Sequence, residues 1–143
     1  RTNFAPMEVK IKLGFKSDEE FYTVNGTQNR VEIDMYNPEK KQAQSPMELL
    51  LSGLIACAAV DIISMIKKRR KELKDFSGEV IGNRTDEIPR KFNRIHIHYD
   101  LTSPDLTKAE AEKIIKMAVE KYCSVASSIS ENITLTHDFN IIR

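Results

Sequence analysis

Residues 45–66, SPMELLLSGLIACAAVDIISMI, predict a long and unusual helix. Ser45 suits the N-cap and Pro46 the first helical position, while Glu48 follows the serine by three residues, as in a capping box. Apolar side chains then occupy every face, whereas a surface helix carries a single apolar stripe. We therefore expect a helix of about 25 residues that starts at residue 46 and is covered on all sides.

The cover of this helix can be either a membrane or protein. Its apolar stretch reaches the threshold length for a span, but Asp61 in the middle would cost about 2.5–3.5 kcal/mol on insertion scales. A domain of 143 residues has little additional structure with which to cover a central helix. We therefore expect no membrane partner and an obligate homodimer, in which a second copy supplies the missing cover.

Strand patterns precede the helix. Residues 7–15 alternate apolar and polar side chains, and the runs 21–24 and 30–34 follow. The pair Asn25-Gly26 is typical of a hairpin loop that needs positive φ angles. These features predict a three-stranded antiparallel meander. Residues 1–6, RTNFAP, carry no pattern, and we expect a remnant of expression or a disordered start there, with Met7 as the natural first residue.

The part of the chain after the long helix mixes strands and helices. Residues 77–84 and 91–102 predict a hairpin, and Thr107 with Glu110 forms a second capping box. A short further helix is expected over 123–131 and a final strand over 133–142. The prediction is one α+β domain over residues 7–143, in the order β-β-β-α-β-β-α-α-β.

Composition limits the partners and the compartment. Twenty-two basic against 21 acidic residues leave a net charge of +1, so no overall field attracts nucleic acid, and no nucleic-acid partner is expected. The basic run 67–71 is interpreted as a solvated helix end. Two cysteines are too few for a secreted disulfide scaffold and no signal segment opens the chain, which favours the reducing cytoplasm.

The two cysteines, Cys57 and Cys123, allow two interpretations. A free cysteine is often just a small buried hydrophobic residue, and this reading suits Cys57 within its apolar helix. Cys123 lies at the break between two helical patterns, where free N–H groups favour a thiolate. The 66 residues between them exclude a CxxC motif, so only the tertiary structure can bring them together.

Two segments together, SPMELLLSGLIACAAVD at 45–61 and EKYCSVA at 120–126, resemble the OsmC/Ohr family and in particular its YhfA-like branch. The resemblance spans residues 7–143 and implies an OsmC-like fold, an intertwined homodimer around the long helix and no cofactor. It also implies a thiol peroxidase that reduces organic hydroperoxides in oxidative stress defence. By this analogy Cys57 is the peroxidatic thiol, Cys123 is the resolving thiol, and a dithiol reductant such as a lipoylated protein restores both.

Two positions depart from the pattern of family peroxidases. The family places an orienting glutamate directly after the proline, whereas Met47 stands there and Glu48, one position later, is only a candidate for that role. The early strand loop lacks the family arginine, and the candidates to replace it are Lys16 in this loop or Arg30 beyond the next strand. Lysine and arginine are not equivalent where a planar fork must hold a thiolate and a carboxylate. The alternative is therefore a catalytically weak dimer that binds an apolar ligand in its interface pocket.

Other chemistries have weaker sequence support. His96, His98 and Asp100 share one strand face with a spacing that can bind a divalent metal, with His137 available to complete the set. Arg94 on the same face opposes a bound cation, so we expect no metal. A cysteine hydrolase that uses one of these histidines lacks a recognisable local motif.

Overall fold

The computed structural model describes residues 7–143, and the long helix lies where the sequence predicts it. Helix α1 spans Pro46–Lys68. The Glu48 N–H donates to Ser45 Oγ at 3.2 Å, and the Ser45 N–H donates to Glu48 Oε1 at 2.9 Å. The predicted start and capping box are therefore confirmed. The helix ends slightly earlier than expected, at Lys68, whose charge suits the negative end of the helix dipole.

The strands before α1 form the predicted antiparallel meander. Strands β1 (Lys12–Ser17), β2 (Glu20–Val24) and β3 (Arg30–Asp34) pair in that order. Strand β1 starts at Lys12 rather than at Met7. Since Lys12 pairs with Val24, the last residue of β2, the described residues before it, 7–11, have no partner in this sheet.

The loop between β2 and β3 differs from the prediction. The Asn25 side-chain oxygen accepts hydrogen bonds from the Thr27 and Asn29 N–H groups at 3.1 and 2.8 Å. The residue with positive φ is Gln28, at 67°, and Gly26 is not in that region. The assignment of positive φ to Asn25-Gly26 is wrong because this is a five-residue loop, in which the left-handed residue comes near the end.

The strands after α1 form a second three-stranded sheet. Strands β4 (Asp75–Arg84) and β5 (Phe92–Thr102) are the predicted antiparallel hairpin, and β6 (Thr134–Ile142) pairs with β5 in parallel. Parallel neighbours need a long crossover connection, and the helices between β5 and β6 supply it. The predicted order of elements, and with it the α+β class, is confirmed.

The crossover contains α2 (Lys108–Met117), a π-helical turn (Ala118–Tyr122) and α3 (Ser124–Ser128). The predicted Thr107–Glu110 capping box is present. Helix α3 begins after Cys123, as expected, but ends at Ser128 rather than near residue 131. Helix α2 and the π-helical turn bury one apolar stripe: Ala111, Ile114, Ile115, Ala118 and Val119.

The chain divides into two compact units, one ending at Leu49 and the other covering Leu50–Arg143. The first contains the meander and the start of α1, and the second contains the rest of α1, the second sheet and the crossover helices. A single domain over 7–143 stays a prediction. The expectation for residues 1–6 lies outside the described residues.

Helix α1 buries only one of its faces. Leu54, Ala58, Ile62 and Ile66 are buried, whereas Val60 is 68% exposed. By length and composition alone α1 could cross a membrane, a test that core helices of soluble proteins also pass. Within one chain the predicted full cover is therefore missing, and its supply by a second copy stays a prediction.

Candidate functional site: a buried thiol pair

The two cysteines meet in the second unit of the chain. Cys57 lies half-buried on α1, and Cys123 is completely buried between the π-helical turn and α3. The Cys57 side chain lies close enough to the Cys123 thiol to raise its pKa. The fold thus brings near each other two thiols that are 66 residues apart in the sequence, and such proximity is the first requirement of a reversible disulfide.

Backbone groups hold Cys123 in place. Its N–H donates to the Ala118 carbonyl at 2.8 Å, which closes the π-helical turn, and its sulfur accepts the Ala126 N–H at 3.3 Å. The thiol also donates to the Leu54 carbonyl on α1 across 4.0 Å. Cys123 is therefore held by the π-helical turn before it and by α3 after it, and its thiol faces the turn of α1 that carries Cys57.

The surroundings keep Cys123 protonated. Burial is the main reason that the pKa of the Cys123 thiol is raised above its ordinary value, and the neighbouring Cys57 raises it further. The N–H groups of Ala126 and Val125 lower the pKa, but they do not outweigh burial. Cys123 is accordingly a neutral thiol near pH 7.

Tyr99 on β5 borders both thiols, and the sequence analysis did not single it out as a site residue. Its side chain is 1% exposed, and its hydroxyl donates to the Ile55 carbonyl at 2.7 Å. Burial is the main cause that raises the pKa of Tyr99, and the neighbouring Cys123 and Cys57 raise it further. The alternation along β5 predicts a buried position for Tyr99, but the contact with α1 depends on the tertiary structure.

The other predicted site residues have partners in the first unit. Glu48 closes the α1 capping box and lies 3.8 Å from the Lys41 ammonium. Lys16 contacts Glu32 at 2.9 Å, and Arg30 pairs with the same carboxylate while stacking on Tyr22 at 3.7 Å. Their suggested catalytic roles stay predictions.

The first unit contains a buried ion pair that the sequence patterns do not predict. Asp34 is 3% exposed and binds the Lys41 ammonium at 2.9 Å. Burial alone would raise the pKa of Asp34, but hydrogen bonds from Gln42, Lys41, Ala43 and Tyr36 together lower it to about 2. The acidic residue at the end of β3 and the lysine seven positions later gave no recognisable motif.

The histidines are arranged differently from the metal-site alternative. His96 Nε2 and His98 Nδ1 lie 3.0 and 2.7 Å from the same oxygen of Asp138. His137 cannot complete a set with them, because it aligns with Ile97 on the opposite face of the sheet and contacts Glu120 at 3.1 Å. Among residues 7–143, no group of three or more His, Cys, Asp or Glu side chains could hold a metal ion.

The sequence model of the OsmC-like protein family matches residues 38–138, a range that contains both cysteines and Glu48. The chain belongs to the OsmC-like family. This OsmC-like chain is also 33% identical over 101 residues to protein YhfA of Escherichia coli K12, across 71% of the chain and 75% of YhfA. Lys16 and Arg30 lie before the range that the family model matches.

Solved structures agree with this assignment of the OsmC-like chain. The OsmC-like protein of Mycoplasma pneumoniae superposes with a TM-score of 0.85 at 17% identity, over 97% of this chain and 100% of that one. The organic hydroperoxide resistance protein OhrB of Bacillus subtilis superposes with a TM-score of 0.64 at 17% identity, over 95% of this chain and 100% of that one. These likenesses show the fold, and OsmC/Ohr membership indicates a redox or stress-related role.

Proposed function

We propose that this protein reduces organic hydroperoxides through a thiol cycle at Cys57 and Cys123. The observation that carries the proposal is the place of the buried Cys123 thiol, which contacts the Leu54 carbonyl one turn before Cys57 and lies close enough to Cys57 for that side chain to raise its pKa. Two free thiols held together in a buried setting can alternate between a dithiol and a disulfide. The proposed setting is the cytoplasm, where the reduced state is maintained.

Exposure supports the division of roles. Cys57 is partly accessible and can meet a substrate, whereas Cys123 has no exposed surface and can react only with a neighbour. Cys57 is therefore the peroxidatic thiol, and Cys123 is the resolving thiol. The buried position of Cys123 also protects it from direct oxidation, because oxidation follows thiolate character and access.

The proposed cycle balances in three steps. The Cys57 thiolate attacks the terminal peroxide oxygen and the O–O bond breaks, so that Cys57 becomes a sulfenic acid and the departing alkoxide takes up the proton that the Cys57 thiol had lost and leaves as the alcohol. Cys123 sulfur then attacks the Cys57 sulfur, the S–O bond breaks, and the departing hydroxide leaves as water with the Cys123 proton. A dithiol reductant such as a lipoylated protein returns two electrons and reduces the disulfide.

The side chains along α1 favour an apolar substrate. Ala56 and Val60, one residue before and three residues after Cys57 on α1, are both apolar and exposed. A fatty or aromatic hydroperoxide gains from contact with such a surface, whereas hydrogen peroxide does not. The same surroundings limit the water and further peroxide that could reach the sulfenic acid.

We further propose that the working form is a homodimer. One side of α1 remains open, with Gly53, Ala56, Val60 and Ser64 all exposed. A Cβ added at Gly53 would meet nothing within 4 Å inside one chain. The first unit exposes a further set of apolar side chains: Met7, Val9, Ile11, Leu13 and Phe15. Surfaces of this extent indicate an interface, and a second copy accounts for both.

A second candidate function is a ligand-binding dimer without peroxidase activity. The observation that favours it is the pairing of Lys16 and Arg30 with one carboxylate, Glu32. A cation that activates the Cys57 thiolate in the manner of the family arginine would have to leave this partner. Glu48 is similarly engaged in the helix cap.

Hydroperoxide consumption separates the two candidates. Purified protein is given cumene hydroperoxide and a dithiol reductant, and the wild type is compared with Cys57→Ser and Cys123→Ser. We expect Cys57→Ser to abolish consumption. Cys123→Ser should complete the first reduction and accumulate a sulfenic acid that a dimedone-type reagent traps.

The opposite result is equally clear. If all three proteins consume the hydroperoxide equally slowly, the peroxidase proposal fails and the binding function takes its place. Saturable binding of a fatty acid or an aromatic probe to the reduced wild type then tests that second function.

A further inference from the structure

Tyr99 connects the second sheet to the turn of α1 that carries Cys57. The hydroxyl donates to the Ile55 carbonyl at 2.7 Å, two residues before Cys57. A carbonyl inside an α-helix already accepts the N–H four residues later, so the bond from Tyr99 is an additional one. The helix itself does not need it, and the hydroxyl therefore needs another explanation than the stability of α1.

The ring of Tyr99 is held as firmly as its hydroxyl. It packs against Phe76 with the ring centres 5.0 Å apart. Gly78 on β4 lies directly opposite Tyr99, and a Cβ there would fall 2.8 Å from the ring. Glycine therefore leaves the room that the ring occupies. A phenylalanine would fill the same space, so packing does not account for the hydroxyl.

The same turn of α1 contacts Cys123. The Leu54 carbonyl accepts a hydrogen bond from the Cys123 thiol. The next carbonyl, that of Ile55, accepts one from the Tyr99 hydroxyl. Tyr99 also interacts electrostatically with both cysteines. Two neighbouring carbonyls thus connect this turn to Cys123 and to the sheet, so the position of the turn bears on the separation of the two sulfurs.

We propose that Tyr99 is a positioning residue for the thiol pair, and that its hydroxyl holds α1 at the distance from which Cys123 reaches Cys57. The step that depends on this distance is closure of the disulfide, in which the sulfurs approach to about 2.05 Å with a restricted dihedral angle. Attack of Cys57 on the hydroperoxide does not require Cys123 and is independent of this spacing. Only the kinetic part of the inference rests on the proposed peroxidase function.

The test is Tyr99→Phe, which removes one oxygen atom and keeps the ring. The matched control is Tyr36→Phe in the first unit, which removes a hydroxyl that also donates at 2.7 Å, to Glu20. The first readout needs no hydroperoxide: reduced and oxidised glutathione are varied, and the dithiol–disulfide equilibrium is measured. We expect Tyr99→Phe to lower the equilibrium constant for formation of the Cys57–Cys123 disulfide by oxidised glutathione about tenfold. Tyr36→Phe should leave this constant unchanged.

The second readout follows one turnover with cumene hydroperoxide. For Tyr99→Phe we expect sulfenic acid formation within about twofold of the wild-type rate and disulfide closure slower by about tenfold. A purely structural role would lower the unfolding midpoint without changing either disulfide readout. In that case Tyr99→Phe and Tyr36→Phe would differ from the wild type only in the unfolding midpoint.

Each outcome decides between the claims. An unchanged glutathione equilibrium in folded Tyr99→Phe overturns the positioning role, and so does a variant that fails to fold, since the hydroxyl would then serve the core. A lowered equilibrium constant supports the role even if the wild type consumes no hydroperoxide. In that case the peroxidase proposal fails and the positioning of the thiols stands.

Discussion

At the scale of the residue, His98 occupies a site built from two carboxylates. Its Nε2 lies 2.9 Å from Asp100 and its Nδ1 lies 2.7 Å from Asp138. Both ring nitrogens can donate only in the imidazolium form. The hydrogen bonds to Asp100 and Asp138 therefore raise the pKa of His98. His96 and Asn140 join the same network, and Glu79 is the cross-strand neighbour of His98.

This arrangement predicts a pH-dependent contribution to stability. A raised pKa in the folded state gives a contribution that is complete below the unfolded pKa of about 6.5 and is lost as the pH rises through the folded pKa. Asp138→Asn should therefore lose about 0.5 kcal/mol of unfolding free energy at pH 6 and less at pH 9. Urea unfolding at both pH values measures this difference.

The control for this prediction is Asp75→Asn, a carboxylate on β4 that bonds to the neighbouring Phe76 N–H. It should show no comparable change between pH 6 and pH 9. A loss in Asp138→Asn that stays equal at both pH values would contradict a charged His98 as its cause.

At the scale of the element, the local sequence determines where helices start. Thr107 Oγ1 accepts the Glu110 N–H at 3.1 Å, and the Glu110 carboxylate accepts the Thr107 N–H at 3.0 Å. Glu110 also lies 3.5 Å from Lys71, the basic residue beyond the end of α1. The start of α2 therefore depends on one threonine and one glutamate, both recognisable in the sequence.

Removal of this cap should cost a measurable amount of stability. Thr107→Ala leaves the Glu110 N–H without its acceptor, and we expect a loss of about 1 kcal/mol in unfolding free energy. Thr107→Ser keeps the oxygen and should lose only a few tenths, about 0.3 kcal/mol. Chemical denaturation compares the two variants. Equal losses would show that the methyl group, rather than the cap, stabilises the start of α2.

The sequence predicts elements whose signals are local and misses those set by distant neighbours. Ser45 and Thr107 mark helix starts because a cap is formed within four residues. The parallel pairing of β6 and the position of His137 depend on the sheet order, which no local pattern contains. Cys57 and Cys123 could be paired only through the family resemblance, since their contact needs the whole crossover. The pairing of Lys16 with Glu32 depends in the same way on how the strands align.

At the scale of the whole molecule, the open side of α1 is the proposed dimer interface. Val60 is 68% exposed in the middle of this side. A glutamate there would place a charge within the proposed interface, where it has no partner and a high desolvation cost. Val60→Glu should therefore convert a dimer, with twice the 16.4 kDa mass of the chain, into a monomer.

Light scattering at micromolar concentration measures the assembly. The matched control is Ile81→Glu, which makes the same kind of change at a 51% exposed residue on β4 and should remain dimeric. A monomeric wild type would contradict the proposed dimer. Equal dissociation of both variants would contradict the assignment of the interface to α1.

The most direct test of the thiol cycle is a peptide map of the reduced wild type after one equivalent of cumene hydroperoxide. We predict that most molecules carry a disulfide between Cys57 and Cys123 within one chain, and that a dithiol reductant removes it. Because Cys123 is completely buried and lies beside Cys57, we expect its sulfur to react with Cys57. Oxidation of Cys57 to a sulfinic acid while Cys123 stays a free thiol would contradict the account.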